Sequence, residues 1–177
     1  MKEFSKLLIV AGTGRKSGKT YLVCSILNQF QELKPIGIKI SPHFHDPTPG
    51  LVLLHKAKDY NIFREDSESG SKDSSRMLIS GASSAYYIQV HDNYAGEAFS
   101  WLIDYLLTER PIICESPSLR KYVVPGVFII TDSEQITIRK DLGDLYDRAD
   151  ATFMLGSDIS NLKLSYCNEL WSLKFEL

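Results

Sequence analysis

The sequence predicts an α/β fold: a mostly parallel, doubly wound sheet with flanking helices, in a single domain spanning residues 1–177. Three observations carry this reading. Short apolar runs rich in β-branched residues alternate along the chain with longer segments of helical period, the pattern of strands joined by crossover helices. The first run, LLIVA at 7–11, leads straight into a glycine-rich loop and an amphipathic segment, which is how a βαβ unit begins. The length suits one ordinary domain, and 44% hydrophobic with 24% charged residues supplies enough apolar material for a sizeable core.

The elements follow in order. LLIVA is continuously apolar, as expected for a strand covered on both faces, and Gly12 and Gly14 end it. Leu22, Ile26 and Phe30 then recur at four-residue spacing, one stripe of a helix from residue 19 to about residue 33. PIGIKIS (35–41) is a second strand, opened by Pro35 and expected to run parallel to the first through a right-handed crossover. Pro42, Pro47 and Pro49 mark a loop. LVLLHKAKDYNIF (51–63) fits either a short helix or an extra strand, and REDSESGSKDSS (64–75) reads as polar and exposed. RMLISGA (76–82) reads as a short helix ending at Gly81, and AYYIQV (85–90) as a strand. EAFSWLIDYLLTE (97–109) is an amphipathic helix, whose Phe99 and Trp101, like Tyr86 and Tyr87 before it, are expected to pack in the core or on the surface. PIICE (111–115), GVFIIT (126–131) and ATFMLG (151–156) are further strands, and residues 159–177 carry no assignable pattern.

The loop GTGRKSGKT (12–20) carries the chemistry. A phosphate loop needs backbone N–H groups turned inward, a helix N-terminus with its partial positive charge, a Lys to reach the β- and γ-phosphates and a hydroxyl to ligate Mg²⁺. Gly12, Thr13, Gly14, Arg15, Lys16, Ser17 and Gly18 form such a loop between strand and helix, with Lys19 and Thr20 in the last two roles. The common pattern G-x-x-x-x-G-K-[ST] has glycine where this chain has Thr13, but Gly12 and Gly14 flank that position. A loop opening with GT resembles that of the dethiobiotin synthetases and their relatives among P-loop NTPases. Arg15 and Lys16 add positive charge to the loop or are solvated.

Such a loop works with a carboxylate near the metal. Glu115, at the end of IICE, would lie on the same rim as the loop, because ligands bind outside the carboxyl ends of parallel strands. Asp73 can bind Mg²⁺ or accept a proton, and Lys72 and Arg76 can neutralise phosphate charge; taken alone, the segment fits a solvated charged face better.

Together GIKISPHFHD, SGSKDSSRMLISGA and IICES, behind a Gly-Lys-Thr loop, resemble the MobB-type molybdopterin-guanine dinucleotide biosynthesis proteins over roughly residues 6–131. The Lys-Asp-Ser-x-Arg segment carries the specific weight, since the phosphate loop is common to a whole superfamily. The resemblance implies a P-loop GTPase-like fold, GTP binding with Mg²⁺, weak hydrolysis, a homodimer, and an accessory role beside a molybdenum cofactor biosynthesis enzyme. Carried over, Gly18, Lys19 and Thr20 hold phosphate and metal, Asp73 and Glu115 sit at the metal or catalytic water, and Lys39, His43, Lys72 and Arg76 line the site. The chain departs from the family pattern in having Ser116, not Gly, after Glu115. It also lacks the [NT]-K-x-D motif that reads guanine, so the nucleotide is GTP or ATP.

Composition narrows the partners. A net charge of −2 gives no basic footprint for nucleic acid and no polybasic membrane patch. The three dispersed cysteines, Cys24, Cys114 and Cys167, read as buried thiols of a reducing cytoplasm, and the first apolar run is too short for a signal peptide or a membrane span. His43, His45 and Asp46 have the types for a transition metal, although a polar rim to the site or plain solvent exposure explains them better. Besides the MobB-like reading, two others remain: an ATP-dependent small-molecule synthetase or kinase, and a nucleotide-gated binding module without turnover of its own.

Overall fold

A computed structural model describes residues 1–174; residues 175–177 of the expected domain lie outside the described residues. The chain runs β1 (Lys2–Gly12), α1 (Lys19–Gln29), β2 (Ile36–Ser41), β3 (Leu51–Lys56), β4 (Tyr60–Glu65), α2 (Asp73–Ile79) and β5 (Ser84–Val90). It continues through α3 (Ala95–Leu106), β6 (Ile112–Glu115), β7 (Val123–Asp132), β8 (Ala151–Met154), β9 (Leu164–Cys167) and β10 (Leu170–Leu173). Eight strands form one sheet in the order β3-β4-β5-β2-β6-β1-β7-β8. From β5 to β8 every pairing is parallel, while β4 runs antiparallel to both β5 and β3. This is the mostly parallel α/β architecture that the alternation of elements predicts. β1 and β2 run parallel, as expected, but β6 lies between them.

The helices cover both faces. Leu7 and Ile9 of β1 pack with Ala98, Phe99 and Leu102 of α3 in one cluster. Leu8 and Val10 pack with Leu22, Val23, Ile26 and Leu27 of α1 and Met77 of α2 in the other. Alternate residues of a strand point to opposite faces, so a strand with helices on both sides must be apolar throughout, as LLIVA is.

Several boundaries differ from expectation. The first helix stops at Gln29; a 3₁₀ turn over Gln31–Leu33 follows, and Lys34 is left-handed at φ 53°. The ring of Pro35 disfavours helical backbone at the residue before it, which closes the helix off ahead of Lys34. LVLLHKAKDYNIF is neither one helix nor one strand but most of the β3–β4 hairpin. The helix α2 begins three residues earlier than its apolar pattern, and its end is as predicted. Gly81 is left-handed at φ 101°, its N–H donates to Leu78 O, and the Ala82 N–H donates to Met77 O, the two bonds of a Schellman cap. Segment 64–75 is not wholly exposed: Glu65, Ser74 and Ser75 are buried. Of the three thiols only Cys114 is fully buried; Cys24 is half-buried, and Cys167 is exposed on β9, contrary to expectation.

The unassigned C-terminal stretch forms the β9–β10 hairpin. Its Trp171 is completely buried, with Phe30 at 4.9 Å and Tyr166 at 5.1 Å between ring centroids. Among the described residues no helix is long and apolar enough to cross a membrane.

Candidate functional site

The site lies where β1, β2 and β6 end and α1 begins. Strand parity explains why its side chains meet. In β2, Ile36, Ile38 and Ile40 face the α3 side, so Gly37, Lys39 and Ser41 face α1 and α2. In β6, Ile112 and Cys114 belong to the α3-side cluster and Ile113 to the other, so Glu115 also faces α1. Lys39 and Glu115 are direct partners in the β2–β6 register, and Val10 flanks Glu115 on the other side.

Lys39 Nζ lies 2.5 Å from Glu115 Oε1 and 2.8 Å from Asp73 Oδ2. The Thr20 hydroxyl lies 2.8 Å from Glu115 Oε2 and 3.1 Å from Asp73 Oδ1. It has one proton to give, so one of those two carboxylate oxygens faces a lone pair of the hydroxyl. Glu115 is 1% exposed and Asp73 36%. Burial works against the Lys39 ammonium, but the Glu115 and Asp73 charges outweigh it and hold its pKa above the ordinary value. Burial likewise pushes the Asp73 carboxyl up, yet the Lys39 charge and the hydrogen bonds from Lys39 and Thr20 together bring it below the ordinary value. Asp73 is the first residue of α2, and buried Glu65 fixes that end of the helix by accepting from the Ser74 hydroxyl at 2.7 Å and the Ser67 N–H at 2.9 Å.

The glycine loop is equally determined. Gly18 caps α1 in the left-handed region, at φ 92°, and no side chain caps this eleven-residue helix. Its first turn holds no acidic residue. The first N–H groups of the helix therefore lie open beside the positive end of its dipole, the arrangement that takes an anion. Lys19 folds back over the loop and donates to Gly14 O at 2.7 Å and Ser17 Oγ at 3.2 Å. Burial holds its ammonium below the ordinary pKa, so the free protein favours a negative group near it.

The displaced glycine has a structural reason. A Cβ on Gly12 would lie 2.1 Å from Ser17 Oγ and 2.7 Å from Thr131 Oγ1, so residue 12 is where the chain must come close. Thr13, where glycine is usual, uses its side chain: its hydroxyl donates to Asp132 Oδ1 at 2.6 Å. Ser17 Oγ and Thr131 Oγ1 share a buried hydrogen bond of 3.0 Å. The Lys140 N–H donates to Thr13 O, and Ile136 packs where a Gly14 side chain would begin.

The expected site residues thus divide. Gly12, Thr13, Gly14 and Ser17 are buried and form the body of the loop, while Arg15 and Lys16 are exposed on it. Lys16, Gly18, Lys19, Thr20 and the exposed Arg76 border a hollow of about 290 Å³ at the start of α1. Asp73, Glu115 and Lys39 meet at Thr20, whereas Lys39, Lys72 and His43 border a different cavity. The sequence reading missed Thr131, Asp132, Ile136 and Lys140, which hold the loop from behind; the visible signal was the polar TDS closing an apolar strand. It also missed Gln135 and Leu155 at the hollow, which no sequence pattern marks. No group of three or more His, Cys, Asp or Glu side chains is placed to hold a metal among the described residues, so His43, His45 and Asp46 do not form a transition-metal site there.

The comparisons with protein-family models, with curated proteins and with solved structures gave no match to this chain. Its functional reading rests on this geometry.

Proposed function

We propose that this chain is a P-loop NTPase that binds a purine nucleoside triphosphate, GTP or ATP, with Mg²⁺ and hydrolyses it weakly. The observation that carries the reading is the meeting of Thr20, Asp73 and Glu115 at the uncapped start of α1, with Lys19 on the loop beside it. Few protein ligands suffice there, because Mg²⁺ keeps water and takes phosphate oxygens. When bound, the ion neutralises phosphate charge as the terminal phosphoryl group leaves. Thr20 and the two carboxylates are the residues that fit it. The open N–H groups of α1 bind the phosphates, and Lys19 exchanges Gly14 O for phosphate oxygen. Asp73, held on its helix by Glu65, orients the attacking group.

Within this class we favour a MobB-like accessory factor of molybdenum cofactor biosynthesis, on the strength of Lys-Asp-Ser-x-Arg and the Glu115 placement. The synthetase or kinase reading is favoured by the second cavity beside Asp73, which offers room for another ligand. The test is equilibrium binding of fluorescent GTP and ATP analogues, with and without Mg²⁺, to the wild type and Lys19→Ala. Mg²⁺-dependent GTP binding lost in the variant supports the MobB-like reading. Preference for ATP moves the kinase reading forward. A folded protein that binds neither nucleotide refutes the proposal.

A further inference from the structure

The second cavity, of about 310 Å³, is bounded by the loop after β2, the end of β2 and the start of α2. Its relation to the hollow at α1 is specific. The two share no bordering residue, yet Thr20 borders one, Asp73 the other, and those two side chains are 3.1 Å apart. The Thr20–Asp73 contact is therefore a party wall between the two spaces.

The cavity is built rather than a gap between loops. Gln89, 2% exposed, donates from its amide to His45 O at 2.7 Å and so ties the 42–48 loop to the sheet. The His43 N–H donates to Ser41 Oγ. On the opposite wall Glu65 holds Ser74 and with it the α2 start. Side chains with no hydrogen-bond or ion-pair partner among the described residues line the cavity: the exposed Lys72, His43 and His45 and the half-buried Thr48. At the floor, Lys39 is already held by Glu115 and Asp73 and keeps one N–H of its ammonium to offer. Of the two carboxylates on the lining, Asp73 is already held by Lys39 and Thr20, leaving Asp46 alone to oppose them. The unpaired donors thus outnumber the one unpaired carboxylate, and the volume is that of a small-ligand site.

We propose that this cavity is a second ligand site, for a small molecule bearing a phosphate group, filled beside the nucleotide and bound through Lys72, Lys39 and the two imidazoles. Phosphate is the group whose several acceptor oxygens match convergent ammonium and imidazole donors. The proposal rests on the nucleotide reading only for what lies across the wall; the site itself stands without it.

The test uses the four histidines of the chain as reporters. Inorganic phosphate is titrated near neutral pH into Lys19→Ala protein, whose phosphate loop is disabled, while the imidazole C–H resonances are followed by NMR. Sodium acetate and sodium chloride at matched ionic strength serve as controls. Saturable shifts of the His43 and His45 resonances with phosphate, and about a tenfold weaker midpoint in Lys19→Ala/Lys72→Ala, are expected. Absence of shifts, an unchanged midpoint without Lys72, or the same response to acetate or chloride overturns the proposal. Because the readout is local, phosphate binding here without nucleotide binding to the wild type would refute the proposed function and leave this site standing; the reverse would do the opposite.

Discussion

Lys39 shows how much one residue holds together. Its ammonium stands between a carboxylate that is 1% exposed and another that is 36% exposed. Removing it leaves the Glu115 charge buried without its cation, and breaking a buried pair from one side costs about 3–5 kcal/mol. Lys39→Met is expected to lose roughly 3 kcal/mol, the low end because Asp73 is partly solvated, and to recover part of the loss in Mg²⁺. Urea denaturation with and without the ion measures both. The wild-type pair also has a pH window. The folded pKa of Lys39 lies above 10.5, so its contribution is complete below 10.5 and disappears as pH rises through the folded value. That of Asp73 lies below 3.8, so its contribution is complete above 3.8 and disappears as pH falls through the folded value. Stability of the wild type relative to Lys39→Met should be flat between those limits and narrow outside them.

At the scale of elements, the glycine loop and its strand were readable because backbone chemistry demands particular residues there. Glycine marks close approach, and Gly-Lys-Thr opens a helix whose first N–H groups have no side-chain cap. Gly81 was readable for a similar reason, since only a left-handed residue completes that cap. The β3–β4 hairpin was not readable. β3 is an edge strand, and its register shifts between Leu53 and His55, which breaks the period of two that would reveal it. The early start of α2 was hidden because Asp73, Ser74 and Ser75 carry no apolar stripe; they are placed by the hydrogen bond from Ser74 to Glu65, a long-range fact. The same holds for Thr13. Restoring the common pattern with Thr13→Gly should destabilise the protein by about 1.5–3 kcal/mol, because a hydrogen bond to the charged Asp132 is lost. A gain in stability, measured by thermal unfolding, would show that the threonine is incidental.

At the scale of the molecule, the chemistry and the scaffold are separable. Trp171 sits with Phe30 and Tyr166, and Gly126 approaches both Trp171 O and Ser5 O, which places the C-terminal hairpin beside the first halves of β1 and β7. The candidate site is at the opposite ends of those strands. Trp171→Ala empties a fully buried space and should cost about 3–5 kcal/mol. Below its lowered unfolding temperature the variant should bind nucleotide with wild-type affinity, as fluorescence titration can show. No pattern marks this hairpin along the chain because its four-residue strands are too short to display one.

The backing of the glycine loop has a consequence for biosynthesis. Thr13 and Ser17 take their partners from Thr131, Asp132 and Lys140, more than a hundred positions later in the chain. A nascent polypeptide therefore leaves the ribosome with its most demanding loop made early and closed late. Until β7 and the segment after it emerge, Thr13 and Ser17 lack these partners. A message cut short before codon 131 would yield a product with the signature residues and none of the support that shapes them.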